Sequence, residues 1–124
     1  MNKVTLIIRL VFGVMLVIFG SNKFIGFLPE PEITGAAATY LGGLAASGFT
    51  FKVIGLIEVL VGIALLANKY VPLALILMAP ISVNIFLYHV LLDLPNSPVG
   101  IAVFAFNLIL LFSHKKSYDT LLSA

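Results

Sequence analysis

YVPLALILMAPISVNIFLYHVLL, residues Tyr70–Leu92, contains no Asp, Glu, Lys or Arg. At about 1.5 Å of rise per residue, a helix of this length exceeds the roughly 30 Å of a bilayer's hydrocarbon core. Pro72 falls in its first turn, where a missing N–H costs little, and Asn68 is placed to cap its start. Apolar residues make up 61% of the 124-residue chain and charged residues 10%. Soluble domains carry roughly 45–50% and 25%, and a chain this small has too much surface to bury such an excess. Lipid therefore solvates the outward faces.

Three further apolar runs flank this one. Phe51–Ala67 is interrupted by Lys52 and Glu58, and Val4–Gly20 by Arg9. Arg9 inside the run, with no A-x-A site after it, marks a retained span rather than a cleaved signal peptide. Val99–Phe112 is short, about 21 Å as a helix. Asn96–Pro98 and Ser113–His114 extend it, and Lys115 and Lys116 can snorkel to the headgroups. The predicted fold is an all-α membrane protein, a four-transmembrane-helix bundle forming a single domain over residues 1–124.

The connections differ in character. Pro29, Glu30, Pro31 and Glu32 are expected to end any helix after the first span. The rest of that long loop, Ile33–Ser47, is rich in Ala and Gly, with Tyr40, Leu41 and Leu44 as its few large residues. It reads as a short interfacial or re-entrant helix covering one mouth of the bundle. Asp93–Pro98 is a turn containing two prolines. Four spans place both termini on one side, with Lys3, Arg9, Lys69, Lys115 and Lys116, against Lys23 and Lys52 on the other. The positive-inside bias makes the side with the termini cytoplasmic. Tyr40, Tyr70, Tyr88 and Tyr118 fall near the interfaces and read as anchors.

Composition also excludes functions. The net charge of +2 and the lack of a basic stripe argue against nucleic acid as a partner. Without cysteine the chain has no thiol chemistry of its own. No nucleotide loop, His-rich metal motif or nucleophile triad is present, so no metal is expected. His89 and His114 fall at opposite sides of the membrane and cannot share a haem.

Polar side chains within spans are costly and mark candidate sites. Arg9, Gly13, Leu16, Gly20 and Lys23 share one face of the first helix, and Gly55, Glu58 and Gly62 one face of the second. Two glycine-lined faces suggest close packing, with Arg9–Glu58 as a structural ion pair and Lys23 as a second partner for Glu58. Alternatively, Glu58 faces a cavity and carries a proton or contacts a substrate. Pro80, Asn84 and Tyr88 form a stripe on the third helix, where Pro80 leaves the Ile76 carbonyl without its usual donor. Asn84 needs an interhelical partner. His89 is either a surface histidine or a donor to a bound carbonyl. Asn107 reads as a bundle-facing amide. Asn22, Lys23, Glu58, Asn84, His89, Asp93 and Asn107 all fall between mid-membrane and the outer edge. Their convergence would create a polar cavity open to the outer face and roofed by the first loop.

Gly20–Ser21–Asn22–Lys23–Phe24, Gly55–Leu56–Ile57–Glu58 with Gly62, Tyr70–Val71–Pro72–Leu73–Ala74, and Pro80, Asn84, Tyr88 and His89 occur in an order that resembles the DoxX family of small four-span bacterial membrane proteins. The resemblance implies a four-helix bundle with a helical first loop in a bacterial inner membrane. Some relatives are linked to thiosulfate:quinone oxidoreduction, others to membrane complexes that handle oxidative or thiol stress. Carried over residue by residue, it marks Lys23, Glu58, Asn84 and His89 as polar-site positions. The leading expectation is a redox-associated subunit with a cavity for a quinone or small solute. Its partners would be the lipid bilayer together with other complex subunits or further copies of itself. The alternatives are a structural accessory subunit without its own ligand, and a small-solute or proton carrier, although no inverted repeat is evident.

Overall fold

The computed structural model describes residues 3–26 and 33–122. Helix α1 spans Lys3–Ile25, α2 Gly35–Ala46, α3 Thr50–Ala67, α4 Val71–Leu92 and α5 Ser97–Ser113; a single 3₁₀ turn, Leu94–Asn96, joins α4 to α5. A second 3₁₀ turn, Lys115–Tyr118, leads into the short α6, Asp119–Leu122. Four of these segments are long and apolar enough to cross a membrane: α1, α3, α4, and α5 with its preceding turn. No strand occurs among the described residues. The prolines and glutamates expected to end the first helix lie outside the described residues.

Helix α1 buries Thr5, Arg9, Phe12, Gly13, Leu16 and Gly20, the period-3.6 face expected from sequence. That face packs against Gly55, Glu58, Val61, Gly62 and Leu65 of α3. The two helices are antiparallel, and their glycines oppose one another in pairs. A Cβ at Gly55 would stand 2.9 Å from the Gly20 carbonyl oxygen, and one at Gly62 would stand 2.8 Å from that of Gly13. No side chain fits there without separating the backbones. Within lipid, where apolar burial does not drive helices together, such close approach supplies the van der Waals contact that does.

The bundle closes as a ring: α1 packs on α3, α3 on α4, α4 on α5, and α5 back on α1. Phe12, Leu16, Val61, Leu65, Leu75, Met78, Val103 and Leu110 fill its centre. Val4, Ile7, Leu56, Leu60, Ile63, Leu73 and Leu77 remain on the outside, where lipid is their solvent. The α4–α5 contact contains a buried polar pair. Ser82 donates to Asn107 Oδ1 at 2.7 Å, and Asn107 Nδ2 donates to the Leu75 carbonyl at 3.3 Å. Asn107 is thus the bundle-facing amide expected, and its amide reaches α4 one residue before the carbonyl that Pro80 leaves free.

Two sequence expectations are corrected at the ends. Asn68 does not cap the start of α4. It takes a left-handed conformation (φ 55°) beyond α3, with its own N–H on Leu65 and that of Lys69 on the Ala64 carbonyl, a Schellman closure. Asparagine tolerates this conformation because its short amide can bond locally. Tyr118 is not a surface anchor either. It is buried and donates to the Pro72 carbonyl at 2.9 Å, folding the chain after α5 onto the start of α4. Burial raises its phenol pKa above the usual tyrosine value.

Helix α2 lies across one end of the bundle and touches α3 and α4. Ala37 is its only buried residue. Gly26, Gly35 and Gly48, all at positive φ, flank it. Ser47 Oγ accepts from the Thr50 N–H at 3.1 Å and donates to the Leu44 carbonyl at 2.7 Å, joining the end of α2 to the start of α3.

The packing separates two classes of glycine. Gly55→Leu and Gly62→Leu should lower the melting temperature in detergent sharply, because overpacking an interior contact costs about 1–3 kcal/mol or more. Gly42→Ala, in α2 with open space around it, should leave melting unchanged or raise it slightly. Circular dichroism melts of the three variants would decide between them.

Candidate functional site

At the α2 end the ring leaves an open cavity of about 420 Å³. Lys23, Glu58, Asn84 and His89 all line it, with Phe19, Phe51 and Tyr88 on the walls and Tyr40, Leu41 and Leu44 of α2 across the mouth. Each arrives for a local reason. Helix α1 runs past the apolar stretch to Ile25, which keeps Lys23 on the bundle-facing side. Glu58 sits between the two close-packed glycines of α3. Asn84 and Tyr88 lie one turn apart on α4.

Lys23 Nζ is 2.5 Å from Glu58 Oε1, a close ion pair rather than an aligned hydrogen bond. Glu58 is 2% exposed and Lys23 23%, so the pair is anchored in protein on one side and open to the cavity on the other. Gly55 makes the contact feasible, since a Cβ there would lie 2.9 Å from Lys23 Cβ. The lysine stem crosses over this glycine to reach the carboxylate one turn along α3.

The expected Arg9–Glu58 pair does not form. Arg9 Nη1 instead donates to the Leu65 carbonyl at 2.5 Å, in the last turn of α3, where a cation also meets the negative end of the helix dipole. The glycine register explains the change. With Gly13 opposite Gly62 and Gly20 opposite Gly55, Glu58 is level with Val17. Along the axis Lys23 is then about 9 Å away and Arg9 about 12 Å.

Asn84 finds its partner in the cap: Tyr40 donates to Asn84 Oδ1 at 2.7 Å. Tyr40 also stacks on Tyr88, with ring centroids 5.5 Å apart. Tyr88 in turn donates to Asp93 Oδ2 at 3.2 Å, and Asn96 Nδ2 holds both Asp93 oxygens at 3.0 Å. A chain of contacts therefore runs from α2 through the cavity wall to the α4–α5 turn. Tyr40 and Tyr88 belong to this chain rather than to an interfacial belt; Tyr70 alone of the four tyrosines is largely exposed.

His89 Nδ1 lies 2.9 Å from the Ile85 carbonyl. With the proton of a neutral ring on Nδ1 for this bond, Nε2 is left to accept, and in the imidazolium it donates. The ring rests on α5 at Gly100, where any Cβ would collide with it. Gly100 was not among the residues singled out from sequence, and Tyr40 was read there only as a large loop residue and an interfacial anchor. Their signals were slight: a glycine inside an apolar helix, and the single tyrosine of an Ala/Gly-rich stretch. Asn22, Asp93 and Asn107, expected to join the polar set, do not line the cavity. His114 bonds the Leu110 carbonyl at the opposite end.

The DoxX family model matches residues 4–90. The chain belongs to the DoxX family. The matched region covers α1 to α3 and nearly all of α4, so it includes Lys23, Glu58, Asn84 and His89. Helix α5 of this DoxX protein, with the Gly100 seat for His89, lies beyond it. Neither a curated protein nor a solved structure matches the chain.

The ion pair is open to a stability test. Lys23→Met strands a buried carboxylate and should cost about 3–5 kcal/mol. Glu58→Gln should cost less, because Lys23 can turn its amine toward the open side. The Lys23→Met, Glu58→Met double variant should recover much of the loss in a thermal double-mutant cycle; additive losses would show that the two side chains are not coupled.

Proposed function

We propose that this DoxX-family protein is a redox-associated subunit of a bacterial cytoplasmic membrane, with both termini inside, whose cavity holds a quinone headgroup. The observation that carries this is the lining of one cavity. Its 420 Å³ falls within the range of small-molecule sites. Aromatic and aliphatic walls suit a flat ring, and the Lys23 ammonium, the Asn84 amide N–H and, in the imidazolium form, His89 Nε2–H are the donors for two carbonyl oxygens on its edge. Reduction of a quinone to a quinol takes up two electrons and two protons. Glu58 and His89 are the groups that can pass protons, and the electrons come from a partner subunit, since this chain has no thiol to supply them. Five Lys and Arg near the termini against two at the α2 end support a cavity facing outward.

A specific observation favours the accessory alternative. The Ser82–Asn107 and Asp93–Asn96 contacts pair polar groups with one another within the protein, as a purely structural role would have them. Titration of a short-chain benzoquinone into protein purified in mild detergent separates the two. Ligand binding should weaken roughly tenfold in His89→Ala and in Asn84→Ala, the loss expected for one hydrogen bond. If both variants bind as the unmodified protein does and only melting temperature moves, the accessory role replaces the quinone site. Proton flux in liposomes that Glu58→Gln abolishes would instead identify a carrier.

A further inference from the structure

A second, smaller hollow of about 190 Å³ lies between α3 and α4, lined by Ile57, Leu60, Val61, Ala64, Leu73 and Leu77 among others, with no charged group. Its lining abuts that of the polar cavity. Ile57 lines the hollow and its neighbour Glu58 the cavity; Leu77 lines the hollow, and Pro80 and Ile81, within about one turn, the cavity. On α4 the positions 73, 77, 80/81 and 84 follow one another along a single face at helical spacing. Head cavity and apolar groove therefore share one seam, and Leu60, Leu73 and Leu77 leave it open to lipid, each more than half exposed.

We infer that this seam is the tail subsite of the cavity's ligand, so that the ligand is a single-chain amphiphile with an isoprenoid tail, entering sideways from the bilayer. The inference rests on the headgroup assignment made above. Depth selects the occupant. Pro80 and Ile81 are at the middle of α4, so the groove occupies the half of the bundle away from α2. From Pro80 to Tyr70 it runs about 15 Å along the helix axis. A ligand with its head in the cavity must send its chain across the midplane. A phospholipid of the α2-side leaflet cannot do so, because its headgroup stays at the interface and its chains end near the midplane. One of the opposite leaflet reaches the groove but not the cavity, and comparative labelling with a phospholipid probe separates it. A small water-soluble solute would leave the groove unused.

A benzoquinone carrying several isoprene units, with a photoreactive diazirine at the chain end, tests this on the full chain in lipid nanodiscs. Crosslinks should map to Leu60, Leu73 and Leu77. At equal concentration in the bilayer the tailed quinone should bind roughly tenfold more tightly than the tailless one, a gain from van der Waals packing of the chain in the groove, since lipid already solvates the free tail. Leu77→Trp and Ala64→Leu should remove that gain and leave tailless binding unchanged, while Leu91→Trp, at an exposed site outside the seam, should change neither. Crosslinks spread evenly over the lipid-facing residues, equal labelling of the seam by a phospholipid with the same diazirine chain, or an unchanged gain in both groove variants would overturn the tail subsite. If the tailless quinone fails to bind while the tailed probe still labels the seam, the headgroup assignment falls and the groove stands.

Discussion

The backbone contact between α1 and α3 governs the rest of the molecule. Gly13 meets Gly62 and Gly20 meets Gly55, each pair seven residues from the next along its own helix. Seven residues are two turns, so both contacts fall on one line and fix the antiparallel register. That register decides which charges meet. It brings Lys23 across Gly55 to Glu58 and leaves Arg9 beside the last turn of α3. A shift of one turn would break both contacts and bury two unpaired charges in a low-dielectric interior, a cost that the small energies of helix packing could not offset.

Polarity is divided between the two ends on this frame. The end bearing Lys3 and Ser113 is tightly filled by Phe12, Leu65, Leu75 and Leu110, all fully buried. The α2 end is hollow, lined by Pro80 at its inner limit and by His89, whose ring is seated on α5 at Gly100. Helix α2 closes this hollow with little burial of its own. Its tie to the wall is Tyr40, hydrogen-bonded to Asn84 and stacked on Tyr88. The cap is thus weakly packed, between left-handed glycines, over a mostly apolar cavity into which a few polar side chains project.

Most of the architecture was legible in the sequence. The four spans, the helical first loop and the bundle-facing sides of α1 and α3 follow from run length and 3.6-residue spacing, which are local properties. Lys23, Glu58, Asn84 and His89 stood out because a polar side chain within a membrane span is costly wherever it points. The tyrosines were misread for the converse reason. Tyrosine is common at membrane interfaces, so Tyr40, Tyr88 and Tyr118 gave no sign of the specific bonds they make.

The sequence by itself determined that this chain spans the membrane four times, which residues face inward, and that it belongs among DoxX-like bundles. The spans and inward faces depend on hydrophobicity and periodicity, which each segment carries alone; the family resemblance depends on the order of several short motifs along the chain. Partner choice was settled only by the tertiary structure. The two glycine-lined faces offered Glu58 either Arg9 or Lys23; the glycine contacts, through the axial register they impose, paired it with Lys23. The joining of Tyr40 to Asn84 and of His89 to Gly100 likewise depends on where separate helices meet, and no single segment encodes that.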